Sequence, residues 1–415
     1  MKRFLTLIAD RKFIWVRTLF VGAFVALMIA IGISIPSPSS AKTWRQVSEF
    51  NSFAELCRNK ESLSPVSKNT VNYLLFHMGK GGDCSQSGKE LAQRKYIRPK
   101  TLVNSRGGTE VIYGGPPIYD ISPLKFAPNL TELSLLGSII CDFSPLRFLT
   151  NLTNISILAI KDLNVLAPLK KLTWLEFSTS LFSDINPLSS HNKLTKLKFS
   201  GIYISDIRPL ESLKNLTDLD ITNTSVNDLS PLQSITKLTS LNLKCNQIED
   251  IKPLQSLVNL KSLSIRNNKI DSITPLSSLS KLTHLELDDI RNLDLKSLQP
   301  LTELTELYFP FSNISDISPL QTLTKLVRLD LSLNNISDIS PLKFLINLEY
   351  LILNGNKIRD ITPLLSLPKL RELTLIYNPI SDLSPLKSLK ASYIDIRNGS
   401  IPSISALSTR RDCSE

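Results

Sequence analysis

The chain has 415 residues, 42% of them hydrophobic, 7% aromatic and 20% charged, and its 48 basic against 37 acidic side chains give a net charge of +11. A chain this apolar is not disordered, and with 14 glycines it is not collagen-like. Its three histidines, His77, His191 and His284, stand far apart with no Cys or carboxylate at ligand spacing beside them, so neither a metal site nor a cofactor is expected.

Lys2, Arg3, Arg11, Lys12 and Arg17 precede an apolar run over residues 18–35, followed by Pro36, Pro38 and the small residues Ser39, Ser40 and Ala41. A basic flank, a greasy stretch and a small-residue site form an export signal. The run of 18 residues is close to the roughly 20 that cross a bilayer. Residues 1–41 are therefore read as either a signal peptide or a signal anchor. Basic residues keep the flank in the cytoplasm in both cases, so everything after residue 41 is expected outside: secreted, periplasmic or at the cell surface, free or held to the inner membrane.

Residues 42–117 carry no repeat. Helical stretches are expected over residues 43–58 and 66–78, interrupted by Ser64-Pro65 and by the glycine-rich run 79–82. Cys57 and Cys84 flank the second stretch, and in an exported chain a disulfide between them is expected, against two unpaired thiols. Cys141, Cys245 and Cys413 leave an odd number that the sequence does not pair.

From residue 118 to 407 the chain is an array. A leucine recurs at 210, 232, 254, 276, 298, 320, 342, 364 and 386, always 22 residues on, and each follows a proline except Leu298, which follows Ser297. Leu124, Leu146, Leu169 and Leu188 carry the same signal upstream. One full unit shows Leu323, Leu326, Leu329, Leu331, Asn334, Ile336, Asp338, Ile339, Pro341 and Leu342. In the Leu-x-Leu pair both leucines point to one side of a strand. Leucines spaced by three suit 3₁₀ turns, which proline opens with a preset φ behind a capping Ser, Thr or Asn such as Ser340. Asn246, Asn268, Asn334, Asn356 and Asn378 fall in the turn after the strand, where a buried amide satisfies backbone groups. Ser180, Ile202 and Thr224 replace them upstream.

This pattern resembles the leucine-rich repeat, and its 22-residue length and Ser-Asp-Ile-Ser-Pro-Leu punctuation resemble the internalin subtype of bacterial surface proteins. The implied fold is an α/β-type leucine-rich-repeat solenoid of about thirteen coils. A parallel sheet lines the concave face, the convex face is 3₁₀ or irregular, residues 42–117 form a helical N-terminal cap, and residues 408–415 are a tail. No coil buries its leucines alone; each is covered by its neighbours. By the same resemblance the concave face grips a protein or peptide partner.

The outward strand positions are free of folding duty. Toward the C-terminal end they become large: Tyr308, Phe311, Leu333, Tyr350, Ile352, Ile376, Tyr377 and Tyr393, with Arg328, Asp330 and Glu372 as a polar rim. Aromatic groups of this kind mark binding centres; the alternative is that they cover one another or a folded-back tail. Trp174, beside Lys196 and Lys198, is a second and weaker candidate.

No catalytic frame is found. Residues 79–82 are too short for a phosphate loop, no Gly-x-Ser-x-Gly is present, and Asp288-Asp289 falls on a loop. Lys171, Lys193, Lys237, Lys281, Lys325 and Lys369 recur between leucines as a solvated convex face, so nucleic acid is not expected. The expected protein is a non-catalytic binder, monomeric or a weak dimer through its last strand, with a membrane-anchored envelope scaffold as the alternative.

Overall fold

The computed structural model describes residues 44–78, 83–97, 118–136, 138–178, 182–290 and 293–397. The signal or anchor at 1–41, the glycine-rich run 79–82, Ser180, Cys413 and the tail 408–415 lie outside them. Among the described residues no helix is long and apolar enough to cross a membrane. The chain divides into residues 1–45 and 46–415; the account below concerns the second unit.

Among the described residues, fourteen parallel strands form one open sheet in sequence order. They are β1 (Tyr96–Ile97), β2 (Glu132–Leu135), β3 (Asn154–Ile157), β4 (Trp174–Ser178), β5 (Lys196–Ser200), β6 (Asp218–Thr222) and β7 (Ser240–Asn242). After them come β8 (Ser262–Ser264), β9 (His284–Glu286), β10 (Glu306–Tyr308), β11 (Arg328–Asp330), β12 (Tyr350–Ile352), β13 (Glu372–Thr374) and β14 (Tyr393–Asp395). The register places equivalent residues side by side, as in Leu307, Leu329, Leu351 and Leu373. Each coil returns through a short 3₁₀ turn. In Ser340–Phe344 and beyond, Leu342 N, Leu345 N and Leu348 N each donate three residues back, at 3.0, 2.9 and 3.0 Å, so the three-residue leucine spacing is the hydrogen-bond spacing. Leu320, Leu323, Leu326 and Leu331 are all fully buried, and the solenoid is the leucine-rich-repeat fold.

The turns are entered differently from the expectation. Ser340 is the first residue of its turn, Ile339 stands at the cap, and no side chain caps it. The acceptor is Asp338: its Oδ1 takes Ser340 N at 2.8 Å and its Oδ2 takes the Ser340 hydroxyl at 3.0 Å. The same clamp recurs at Asp142, Asp228, Asp316 and Asp382. Serine therefore donates, and the aspartate two residues earlier does the capping.

These bonds set an acid limit on stability. The bond from Arg208 holds the Asp206 carboxyl down from 3.8 to about 2, and bonds from Ser318, Thr362 and Ser384 lower Asp316, Asp360 and Asp382. A carboxyl lowered by folding contributes fully above its unfolded value and loses that contribution as pH falls through its folded value. The melting temperature is expected to hold above about pH 5 and to fall between about pH 4 and pH 2. Replacing Asp316, Asp360 and Asp382 together by asparagine should flatten that fall in a melting series over pH.

The N-terminal cap is built from α1 (Phe53–Arg58), α2 (Pro65–Met78) and α3 (Cys84–Gln93). Residues 43–58 were expected as one helical stretch; the described part of it divides into a 3₁₀ turn, Val47–Glu49, and α1. α3 was not expected. Asp83 caps it by accepting from Ser85 N and Gln86 N, and Gly88 lets it approach α1, since a Cβ there would lie 3.2 Å from Ala54 N. The Cys57–Cys84 disulfide ties the end of α1 to the start of α3. The cap also supplies β1 to the sheet, pairing Tyr96 with Glu132 and Ile97 with Leu133. Lys125 reaches back to the carbonyls of Val47 and Phe50 at 2.9 and 3.1 Å. Replacing Cys57 and Cys84 by serine is expected to destabilise the cap by about 3 kcal/mol, seen as earlier proteolytic cleavage before residue 97 with the later coils still protected.

Two ladders tie coil to coil. Asn334 Nδ2 donates to Phe309 O at 2.9 Å and Leu331 O at 3.0 Å, while its Oδ1 accepts from Ser312 N and Ile314 N, both at 3.0 Å. Asn246, Asn268, Asn356 and Asn378 repeat the arrangement. Ile290 and Ser312 interrupt it. On the convex side, Lys171, Lys237, Lys281 and Lys369 each donate to an asparagine of the preceding coil at 2.7 Å, and Lys325 does so to Glu303. Five of the six recurring lysines are thus exposed but engaged between coils. This employment, not solvation alone, accounts for the recurrence of those five.

Candidate functional site

The strands β1 to β13 present their even positions to the concave face and β14 its odd ones, Tyr393 and Asp395, and coil closure brings residues about 22 apart in sequence into contact. One network runs across six consecutive coils. Lys244 Nζ lies 2.7 Å from Glu286 Oε2, which also accepts from the Ser264 hydroxyl at 2.9 Å. Glu286 Oε1 meets His284 Nε2 at 3.1 Å, and His284 Nδ1 meets Glu306 Oε2 at 3.1 Å. The Tyr308 hydroxyl donates to Glu306 at 3.0 Å. Arg328 Nε lies 3.8 Å from Glu306, and its guanidinium stacks 3.8 Å from the centre of the Tyr350 ring.

The charges in this network reinforce one another. Bonding to Glu286 raises the His284 pKa against burial. Burial pushes the Glu286 carboxyl up, but the bonds from His284, Lys244 and Ser264 outweigh it and hold the group at about 2. Burial and the Glu306 carboxylate push the Tyr308 phenol up to about 12. Tyr308 and Tyr350 are therefore held in place by ionic partners, which reduces the rotamer freedom they would lose on meeting a ligand.

The eleven candidate residues fall into four rows. Tyr308, Asp330 and Ile352 are aligned across β10, β11 and β12, and Arg328 stands beside Tyr350 in the row next to them. Phe311 and Tyr377 lie just past their strands in left-handed backbone, with φ of +56° and +59°. Ile376 is half-buried beside Tyr377. Tyr393 is 52% exposed and donates to Asp395 at 3.2 Å.

Asp330 is half-buried and bonded within its own coil. It accepts from Ser332 N at 2.9 Å and from the Ser332 hydroxyl at 2.5 Å, and burial raises its pKa despite those bonds. Glu372 is exposed. The charged network itself was missed from the sequence. Its signal was present as His284, Glu306, Arg328 and Tyr350, one column at steps of 22.

Trp174, 39% exposed, lines a hollow of about 230 Å³ with Glu132, Asn154, Ser156 and Glu176. The lysines beside it are engaged: Lys198 lies 3.7 Å from Glu176 and Lys196 lies 3.9 Å from Asp218. Cys141 is an exposed thiol, whereas Cys245 is buried and not free.

A one-sided ribbon of parallel strands with a variable inner wall defines a leucine-rich-repeat protein. The family model for leucine-rich repeats in two copies matches residues 214–256, 236–278, 302–344 and 346–388. The chain is similar to an internalin, InlF, from Listeria monocytogenes, with 29% identity, a TM-score of 0.66, and coverage of 87% of this chain and 100% of that one. A leucine-rich-repeat protein of Leptospira interrogans shares the fold at 18% identity and a TM-score of 0.54, over 67% of this chain and 81% of that one. So does the Arabidopsis receptor kinase HAESA, solved with the peptide hormone IDA and the co-receptor SERK1, at 17% identity and 0.56, over 68% of this chain and 52% of that one. By sequence, no curated protein matches. The chain is an internalin-like leucine-rich-repeat protein.

Proposed function

We propose that this protein is an exported, non-catalytic binding module that holds a protein or peptide partner against the C-terminal half of its concave face. The observation that carries the reading is the set of half-buried aromatic and aliphatic side chains on β10 to β13, with Tyr350 fixed under Arg328. Aromatic groups held rigid and partly dry make strong contact centres. The peptide hormone bound to HAESA is a precedent for a peptide ligand on a solenoid of this fold. The charged ends of the patch, Glu306 on one side and the Asp395–Arg397 pair at 2.7 Å on the other, suit a polar rim.

Export rests on the basic and apolar order of residues 1–41. A mature N-terminus at Lys42, read by mass measurement, supports a released binder, and an intact Met1 supports the membrane-anchored form. The choice of face is tested by placing one charge on each. Ile352→Lys on the concave side is expected to abolish capture of the partner, whereas Ser366→Lys on the convex turn leaves it unchanged. The reverse result assigns binding to the other face.

A further inference from the structure

In nine successive coils, the residue just before the ladder position adopts a left-handed backbone, with φ between +45° and +66°. Glycine, asparagine or aspartate accommodates that conformation, and Gly201, Asn223, Asn267, Asp289 and Gly355 obey the rule. Cys245 breaks it at 59°, and Phe311, Leu333 and Tyr377 break it with larger apolar side chains at 56°, 57° and 59°; these three fall in the last third of the array. A bulky side chain held in left-handed backbone is strained, and strain of this kind clusters at ligand-gripping positions. Gly355 is shaped to the same end. A Cβ there would lie 2.6 Å from Leu333 Cδ2, so the glycine seats the leucine.

The charge pattern changes at the same coils. Over β9 the positions facing inward and toward this edge are Glu286, Asp288 and Asp289, whereas over β10 to β13 the one carboxylate among them is Asp330, whose pKa burial raises. In these columns a window four strands wide, with Asp330 as its one carboxylate, is thus bounded by charge on both sides, at Glu286, Asp288 and Asp289 and at Asp395 and Arg397. At a strand spacing of ~4.8 Å it accommodates an extended segment of about five residues.

We infer that Phe311, Leu333 and Tyr377 form a ridge along the edge of the concave face that grips an uncharged, apolar segment of a protein partner. This inference rests on the proposed concave-face binding and gives it a partner chemistry. A charged segment is disfavoured along the ridge itself because these three side chains offer no counter-charge to replace its lost hydration.

The test uses the full chain and peptides selected on it from a phage-displayed random library. Enriched peptides are expected to share an uncharged apolar stretch and to bind Leu333→Asn/Tyr377→Asn at least tenfold more weakly. The melting temperature of that variant should equal or exceed the original, because asparagine tolerates the backbone better. Enriched peptides built on charged anchors, equal binding to both forms, or a melting temperature lowered by the substitutions overturns the ridge. Tyr350→Ala separates the two readings. Peptides sensitive to Tyr350→Ala but not to the ridge variant remove the ridge alone, and peptides indifferent to both remove the concave-face reading as well.

Discussion

Replacing Asn356 by alanine is expected to destabilise the solenoid by about 3 kcal/mol or more. Its amide donates to Leu331 O and Leu353 O at 2.9 and 3.0 Å and accepts from Ile336 N at 3.0 Å. Asn356 is 4% exposed, so water cannot replace these bonds without opening the coil. Each buried backbone group left unpaired costs about 1–3 kcal/mol. In a repeat array the damage is local, because each coil contacts only its neighbours. Amide exchange at Ile336 and Leu353 should accelerate strongly, with that of Leu219 unchanged. Lys369→Ala, which removes an exposed bond to Asn347, should change stability by less than about 0.5 kcal/mol. Equal effects for the two substitutions would contradict the role assigned to the ladder.

Replacing Tyr350 and Tyr377 together by alanine is expected to weaken partner binding by about a hundredfold or more, while leaving the sheet register intact. Tyr350 contributes a ring already stacked under Arg328, so little order remains to be gained on binding. Arg328 would be left with Glu306 alone, and a part of the loss should appear in Arg328→Ala by itself. A double-mutant cycle between positions 328 and 350 measures how much of the contact belongs to the pair. Trp174→Ala serves as the comparison at the other end of the array. Unchanged affinity in the tyrosine variant, with a normal melting curve, would remove the C-terminal patch as the contact centre.

Most of the fold was legible because it is written many times. Leu329, Leu351 and Leu373 each meet the same demand, so one weak local preference is repeated until it is unambiguous. The ladder asparagines were legible for the same reason. α3 was not, since Ser85, Gln86, Ser87 and Gly88 are modest helix formers. Its helix depends on the Asp83 cap, the Cys57 disulfide and the contact with Ala54, and two of these come from elsewhere in the chain.

The candidate site divides in the same way. Which side chains face inward followed from the alternation of a strand. Which of them are engaged did not. Asp330 is half-buried and bonds within its own coil, Arg328 lies on a tyrosine 22 residues away, and His284 is fixed by carboxylates on two strands.

The sequence by itself determined a stack of equal coils, their direction and their leucine interior, because burying a leucine is required of every coil separately. Only the tertiary structure decided which outward residues are neutralised, which are strained and which remain available to a partner. Those properties belong to two coils in contact, and they arise once side chains 22 positions apart have been brought within bonding distance.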